Sequence, residues 1–147
     1  MDKNGNAFQK RLLATFKVEA GEHAQALSAG LIELEGAAGT AQQAAIVETV
    51  FREAHSLKGA ARAVGKTEIE TLCQSLEGVF SHLKSSAIEL SPALLDLLDE
   101  GLGTLGQLLA AIDGDLPRAL RSGLADLGRR LAAAATATAA PDRKSVV

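Results

Sequence analysis

The stretch TEIETLCQSLEGVFSHLK, residues 67–84, decides the fold class. Its apolar residues Ile69, Leu72, Cys73, Leu76, Val79, Phe80 and Leu83 recur every three or four positions. That spacing lines one face of an α-helix, whereas a half-buried strand would alternate apolar and polar residues. Thr67 with Glu70 three residues later reads as a capping box that opens the helix. Glu70, Gln74, Glu77, Ser81 and Lys84 make a polar stripe on the opposite side.

The same pattern extends in both directions. Upstream, Thr40 and Gln43 read as another capping box, and Val47, Val50, Ala54, Leu57, Ala61 and Val64 trace one stripe as far as Gly65. Before that, Asn6 is expected to cap a helix carrying Phe8, Leu12, Phe16, Ala20, Ala24, Leu27, Leu31 and Leu34, ended by the glycines at 36 and 39. Downstream, Ser91-Pro92 is an N-cap and first-turn proline for a fourth helix, whose leucines at 94, 95, 97, 98, 102, 105, 108 and 109 cover much of its circumference. Such a helix is expected to be enclosed by neighbours or a partner. Gly101, Gly103 and Gly106 each cost it about 1 kcal/mol relative to alanine, which suggests close backbone approach there. Asp115 and Pro117 start a fifth helix through Leu116, Leu120, Leu124, Leu127 and Leu131.

Short connections favour antiparallel neighbours. The expected fold is all-α: an up-and-down antiparallel four-helix bundle with a fifth, C-terminal helix packed on it. Residues 1–134 are expected to form the domain, and 135–147, which lose their large apolar residues, a linker toward a following region.

Composition supports this reading. Of 147 residues, 28 are Ala and 23 Leu, against 12 Val plus Ile and no Trp or Tyr, so an all-β fold is excluded. The net charge of −3 leaves no global basic field, and nucleic acid is not an expected partner. One cysteine allows no internal disulfide, and neither a signal peptide nor a membrane span is visible, so a cytoplasmic domain without membrane association is expected.

One histidine stands in a coherent polar stripe. On the second helix Glu48, Arg52, His55, Lys58, Gly59 and Arg62 fall on one side, with Val50, Ala54, Leu57 and Ala61 opposite. His55 is therefore expected to face solvent beside Lys58 and Arg62, with Gly59 removing a side chain next to the ring. An accessible neutral imidazole, of unperturbed pKa about 6.5, is a nucleophile near neutral pH and accepts a phosphoryl group, whose negative charge the nearby cations offset. Glu77, if its stripe borders the second helix, would accept from Nδ1–H, fix the tautomer and leave Nε2 to attack. Leu or Ile at +2, Lys at +3 and Gly at +4 after one of three histidines is roughly a one-in-four-hundred coincidence at this composition, which outweighs an ordinary solvated helix face.

The run Ala54-His55-Ser56-Leu57-Lys58-Gly59-Ala60-Ala61-Arg62-Ala63-Val64-Gly65 resembles the phosphoacceptor motif of histidine phosphotransfer domains, in particular the amino-terminal domain of CheA-type chemotaxis histidine kinases. Phe16, Glu19, Glu22, Leu27, Leu31, Leu34 and Glu35 are similar to that family's first helix, and 72–80 to its third; the resemblance covers about residues 8–130. It implies that His55 is the phosphorylated residue, Lys58 the motif lysine, Gly59 the motif glycine and Glu77 the histidine-orienting carboxylate, with Arg62 a secondary electrostatic contributor. It further implies no cofactor in this chain, ATP with Mg at a separate kinase catalytic domain, and response-regulator receiver domains as partners. The fragment itself, lacking an ATP-binding glycine-rich segment, would not be catalytic alone. Gln74 stands where many CheA-type domains have a second histidine, and Gly59-Ala60-Ala61 replaces a pair of glycines.

Other residues read as structural. His23, on the edge of the first apolar stripe, is expected to be half-buried, His82 solvated with Lys84 an ordinary surface charge, and Cys73 a buried hydrophobe. No Glu-x-x-His pair supports a di-metal bundle, and Ser56 points about 100° from His55, against a Ser-His-Asp hydrolase. The competing function is a non-catalytic helical docking or dimerisation bundle, for which the leucine-rich fourth helix speaks.

Overall fold

The structure, a computed structural model, describes residues 3–136. Five helices follow one another: α1 (Lys3–Ala37), α2 (Gln43–Ala63), α3 (Thr67–Lys84), α4 (Pro92–Ala110) and α5 (Arg118–Thr136). Among the described residues α1 packs on α2, α2 on α3, α3 on α4 and α4 back on α1, while α5 lies against α3 and α4. This ring is the expected up-and-down bundle, with α5 laid on one side.

The apolar stripes meet in a single core. Phe16, Leu27 and Leu34 from α1, Val50 and Leu57 from α2, Leu76 and Phe80 from α3, Leu98 and Leu105 from α4, and Leu127 and Leu131 from α5 are all buried. The leucines of α4 divide between the core (94, 98, 105, 108) and half-buried flanks (95, 97, 102, 109). None is exposed, so the enclosure expected of α4 comes from its own neighbours. At Gly101 an added Cβ would stand 3.0 Å from Leu76 Cδ2, so α3 and α4 approach closely there. The same expectation fails at Gly103 and Gly106, where a Cβ would meet nothing within 4 Å because both lie on the outer side of α4. A closer approach, unforeseen in the sequence, is at Gly30, where α1 crosses Val50 Cγ1.

The helix ends depart from the sequence reading in instructive ways. Asn6 caps nothing, since α1 already begins at Lys3. Neither expected capping box forms. Thr40 Oγ1 donates to Ala37 O (2.6 Å) and Gln43 Oε1 accepts from Gly39 N (2.8 Å), so both side chains serve the turn that Gly39 makes at φ +80°. Between α2 and α3, Gly65 at φ +72° lets its own N–H reach Arg62 O (3.1 Å) and that of Lys66 reach Ala61 O (2.9 Å), a complete Schellman termination. The chain re-enters a helix so soon that Thr67 is already helical, and Glu70 pairs with Arg62 instead of capping. Ser91 does cap α4, its Oγ accepting from Leu94 N at 3.1 Å with Pro92 in the first turn.

The consequence for function is a short, rigid α2–α3 hairpin. The tight link at Gly65 fixes the register in which the outer faces of α2 and α3 meet. None of the described helices is long and apolar enough to cross a membrane.

Candidate functional site

Val47, Val50, Ala54, Leu57 and Ala61 commit one side of α2 to the core, which turns His55 outward. Its side chain is 62% exposed. The polar stripe of α3 borders α2 at this level. Glu77 Oε2 lies 2.8 Å from His55 Nδ1, and Glu77 Oε1 lies 2.6 Å from Lys58 Nζ. One carboxylate therefore joins two residues that stand one turn apart on α2.

Glu77 is only 13% exposed, and burial by itself would push its carboxyl pKa up. Hydrogen bonds from Lys58 and His55, with their charges, outweigh that penalty and hold it below the ordinary carboxyl value. An ionised carboxylate only accepts hydrogen bonds, so the 2.8 Å contact requires the proton on Nδ1 of the neutral ring. The lone pair is then on Nε2. Oε1 is fully enclosed and meets Lys58 as an ion pair; the aligned hydrogen bond of the Lys58 ammonium goes to Gln74 Oε1 at 3.2 Å.

The remaining expected residues fall around this trio. An added Cβ on exposed Gly59 would touch nothing within 4 Å, so the space beside the imidazole is open. Arg62 is not drawn to the ring: its Nε donates to Glu70 Oε2 at 2.9 Å, two turns from His55. Each cation of the stripe is thus already matched by a carboxylate, and the charge around the ring is balanced.

Three contributors escaped the sequence reading. Phe51 stacks on His55, with centroids 6.3 Å apart and planes 15° from parallel. Lys84 lies 4.6 Å over the Phe51 ring and 2.8 Å from Glu48, so it is no ordinary surface charge. Gln74, singled out only as a departure from a family pattern, holds Lys58. A signal for the first existed, since Phe51 precedes His55 by one helical turn. The contact from Lys84 needed the α2–α3 register.

The other titratable groups are structural. His23 is half-buried with Nδ1 2.6 Å from Glu53 Oε1. His82, expected in solvent, is half-buried with Nδ1 2.8 Å from the Gly78 carbonyl, a local bond that the helix itself offers. Burial, reinforced by the nearby Glu77 charge, pushes the Cys73 thiol up to about 12, leaving no thiolate at neutral pH. Among the described residues no group of three or more His, Cys, Asp or Glu gathers to hold a metal ion.

The Hpt domain family model matches residues 11–115 of this chain. The chain is also similar to proteins named chemotaxis protein CheA. It is 30% identical over 87 residues to that of Listeria monocytogenes, covering 59% of this chain and 14% of the relative. It is 32% identical over 100 residues to that of Bacillus subtilis (68% and 14%) and 29% identical over 108 residues to that of Halobacterium salinarum (72% and 16%). The chain thus spans about a seventh of the length of the relatives it matches.

Proposed function

The chain belongs to the Hpt domain family and serves histidine phosphotransfer in two-component signalling, and from that premise we propose that His55 is the phosphorylated residue, served by Lys58, Gly59 and Glu77. The observation that supports this reading most directly is a solvent-open imidazole whose Nδ1 is held by a shielded, ionised carboxylate. Nε2 attacks the γ-phosphorus of ATP bound to a separate kinase catalytic domain. The Nε2–P bond forms, the bond to the β,γ-bridging oxygen breaks, and ADP leaves with that electron pair. No proton needs to move during attack. The ring becomes cationic with Nδ1–H retained, and Glu77 at 2.8 Å stabilises that charge as it develops.

Lys58 begins on Glu77 and Gln74, and its flexible stem carries the ammonium toward the phosphoryl oxygens once they arrive. Gly59 leaves room for the partner's active site to close over the ring. Arg62 and Glu70 form a neutral pair at the edge, so Arg62 contributes only at longer range. The reverse sequence delivers the phosphoryl group to an aspartate of a response-regulator receiver domain. The parent is a CheA-like cytoplasmic kinase in this reading, with residues 1–134 the phosphoacceptor module and 135–147 leading onward; the part of that linker beyond Thr136 lies outside the described residues. Mg-bound ATP belongs to the kinase domain, and this module alone carries out no catalysis.

The test is to incubate the chain with a CheA-type kinase core and labelled ATP and to assay for an acid-labile, base-stable phosphoryl group. Label is expected on the parent chain and absent from His55→Gln. Absence of label on the parent chain, or its persistence in His55→Gln, rejects the assignment.

A further inference from the structure

Among the described residues every exposed large hydrophobic side chain lies on α1: Phe8, Leu12, Val18 and Ile32. Phe8 and Leu12 continue the inner stripe where the 35-residue α1 runs past helices of 18–21 residues. Val18 and Ile32 are different, because they stand on the outer side of α1, away from the bundle. They are 63% and 71% exposed and 14 residues apart, close to four helical turns, so they share one face about 21 Å apart. Between them that face carries Gly21, Gln25 and Ala29, all exposed, and a Cβ at Gly21 would meet nothing within 4 Å.

The charges of α1 are segregated along its axis. Residues 3–18 hold Lys3, Lys10, Arg11 and Lys17 and no acidic residue, whereas 19–37 hold Glu19, Glu22, Glu33 and Glu35 and no Lys or Arg. A parallel pairing of two such helices sets like charges side by side. An antiparallel pairing sets each basic half against the acidic half of the other copy.

We infer that the outer face of α1 is a homodimer interface, in which two copies pack α1 antiparallel about a two-fold axis at Gln25, with Val18 of each copy against Ile32 of the other. The two-fold is the closed, self-complementary symmetry that a single patch generates. The small residues at 21 and 29 permit close approach of the two helices, and Lys17 of one copy comes near Glu33 and Glu35 of the other. In its own copy Lys17 already pairs with Asp113, so its contribution across the interface is the smaller part. With two aliphatic side chains per copy, the association is weak and salt-dependent.

Sedimentation equilibrium of the 147-residue chain, from about 10 µM to about 1 mM, tests this directly. A monomer–dimer equilibrium is expected whose dissociation constant rises severalfold between about 25 mM and about 0.5 M salt. Val18→Glu places a carboxylate against the acidic half of the other copy, and Ile32→Lys places an ammonium against its basic half. Each is expected to weaken the dimer at least about tenfold, a loss of about 1.4 kcal/mol, with the helical circular dichroism unchanged because both positions are exposed. The combined variant sets the new carboxylate at position 18 opposite the new ammonium at position 32 of the other copy and is expected to restore the dimer to within about threefold of the parent. A parallel arrangement would leave 18 against 18 and 32 against 32, and no recovery. A chain monomeric throughout, or a combined variant no better than the single ones, overturns the inference.

Discussion

Replacing Glu77 by alanine separates its two duties. The carboxylate accepts from His55 Nδ1 at 2.8 Å and balances Lys58 Nζ at 2.6 Å, with only 13% of its side chain exposed. A hydrogen bond to a charged group contributes about 1.5–3 kcal/mol net. If that stabilisation is realised as the ring becomes cationic, its loss slows phosphorylation by about 10- to 150-fold. Glu77→Gln keeps the shape and an acceptor but loses the charge, and its rate is expected to lie between alanine and parent. The second duty is structural. Removing the carboxylate leaves the Lys58 ammonium, 21% exposed, without its counter-charge, costing about 1 kcal/mol and lowering Tm by about 2–4 °C in a chain of this length. The assay is single-turnover labelling by a kinase core under saturating ATP, with nitrogen NMR of the imidazole in parallel. Nδ1-protonated imidazole is expected in the parent and a mixture of tautomers in Glu77→Ala. An unchanged labelling rate together with an unchanged tautomer would refute the role assigned to Glu77.

The remaining predictions probe charge and packing. Because the folded-state pKa of Glu77 is lowered, its stabilisation is complete above the unfolded value of about 4.3 and is lost as pH falls through the lower folded value; denaturation curves in that acid range should be flatter for Glu77→Gln. Gly59→Ala should raise stability by about 0.5–1 kcal/mol in chemical denaturation, since the Cβ enters open space, whereas Gly59→Leu should slow labelling by the kinase without unfolding the chain. Gly30→Ala drives a Cβ into Val50 and is expected to cost about 1–3 kcal/mol, while Gly103→Ala, on the outer side of α4, is expected to stabilise by about 1 kcal/mol. Ser86 ends α3 in the left-handed region at φ +62°, so Ser86→Gly should stabilise by about 1 kcal/mol, measured the same way.

What was legible from the sequence followed from periodicity. The stripes of α2 and α3 have period 3.6 and face a core, so helix identity, core membership and the outward direction of His55 could all be read without a partner helix. Ser91-Pro92 was legible because an N-cap acts within four residues. Thr40-Gln43 and Thr67-Glu70 carry the same local signal, yet their side chains serve a turn and a cross-helix ion pair. Caps compete with whatever else is in reach, and Gly39 and Gly65 decide what that is. The close approaches at Gly101 and Gly30, as opposed to Gly103 and Gly106, depend on which side of a helix meets its neighbour. Composition does not encode that. Likewise Gln74 and Lys84 become part of the site only through the register of α2 against α3.

Charge balance at His55 also explains why a module without its own catalytic apparatus does not need a strongly basic site. The ionised Glu77 neutralises Lys58 and orients the ring, so the imidazole is presented without an exposed, unpaired cation inviting stray anions. The electrostatic work of phosphoryl transfer then belongs to the partner, and the module's contribution is position. Position in turn requires that the α2–α3 seam stay accessible. Among the described residues α1 touches α2 and α4 but not α3, so its outer face is turned away from that seam. Two copies joined through α1 therefore present two separate, outward imidazoles, each free to meet a kinase or receiver domain. In that arrangement self-association and phosphotransfer use different sides of the bundle and do not compete.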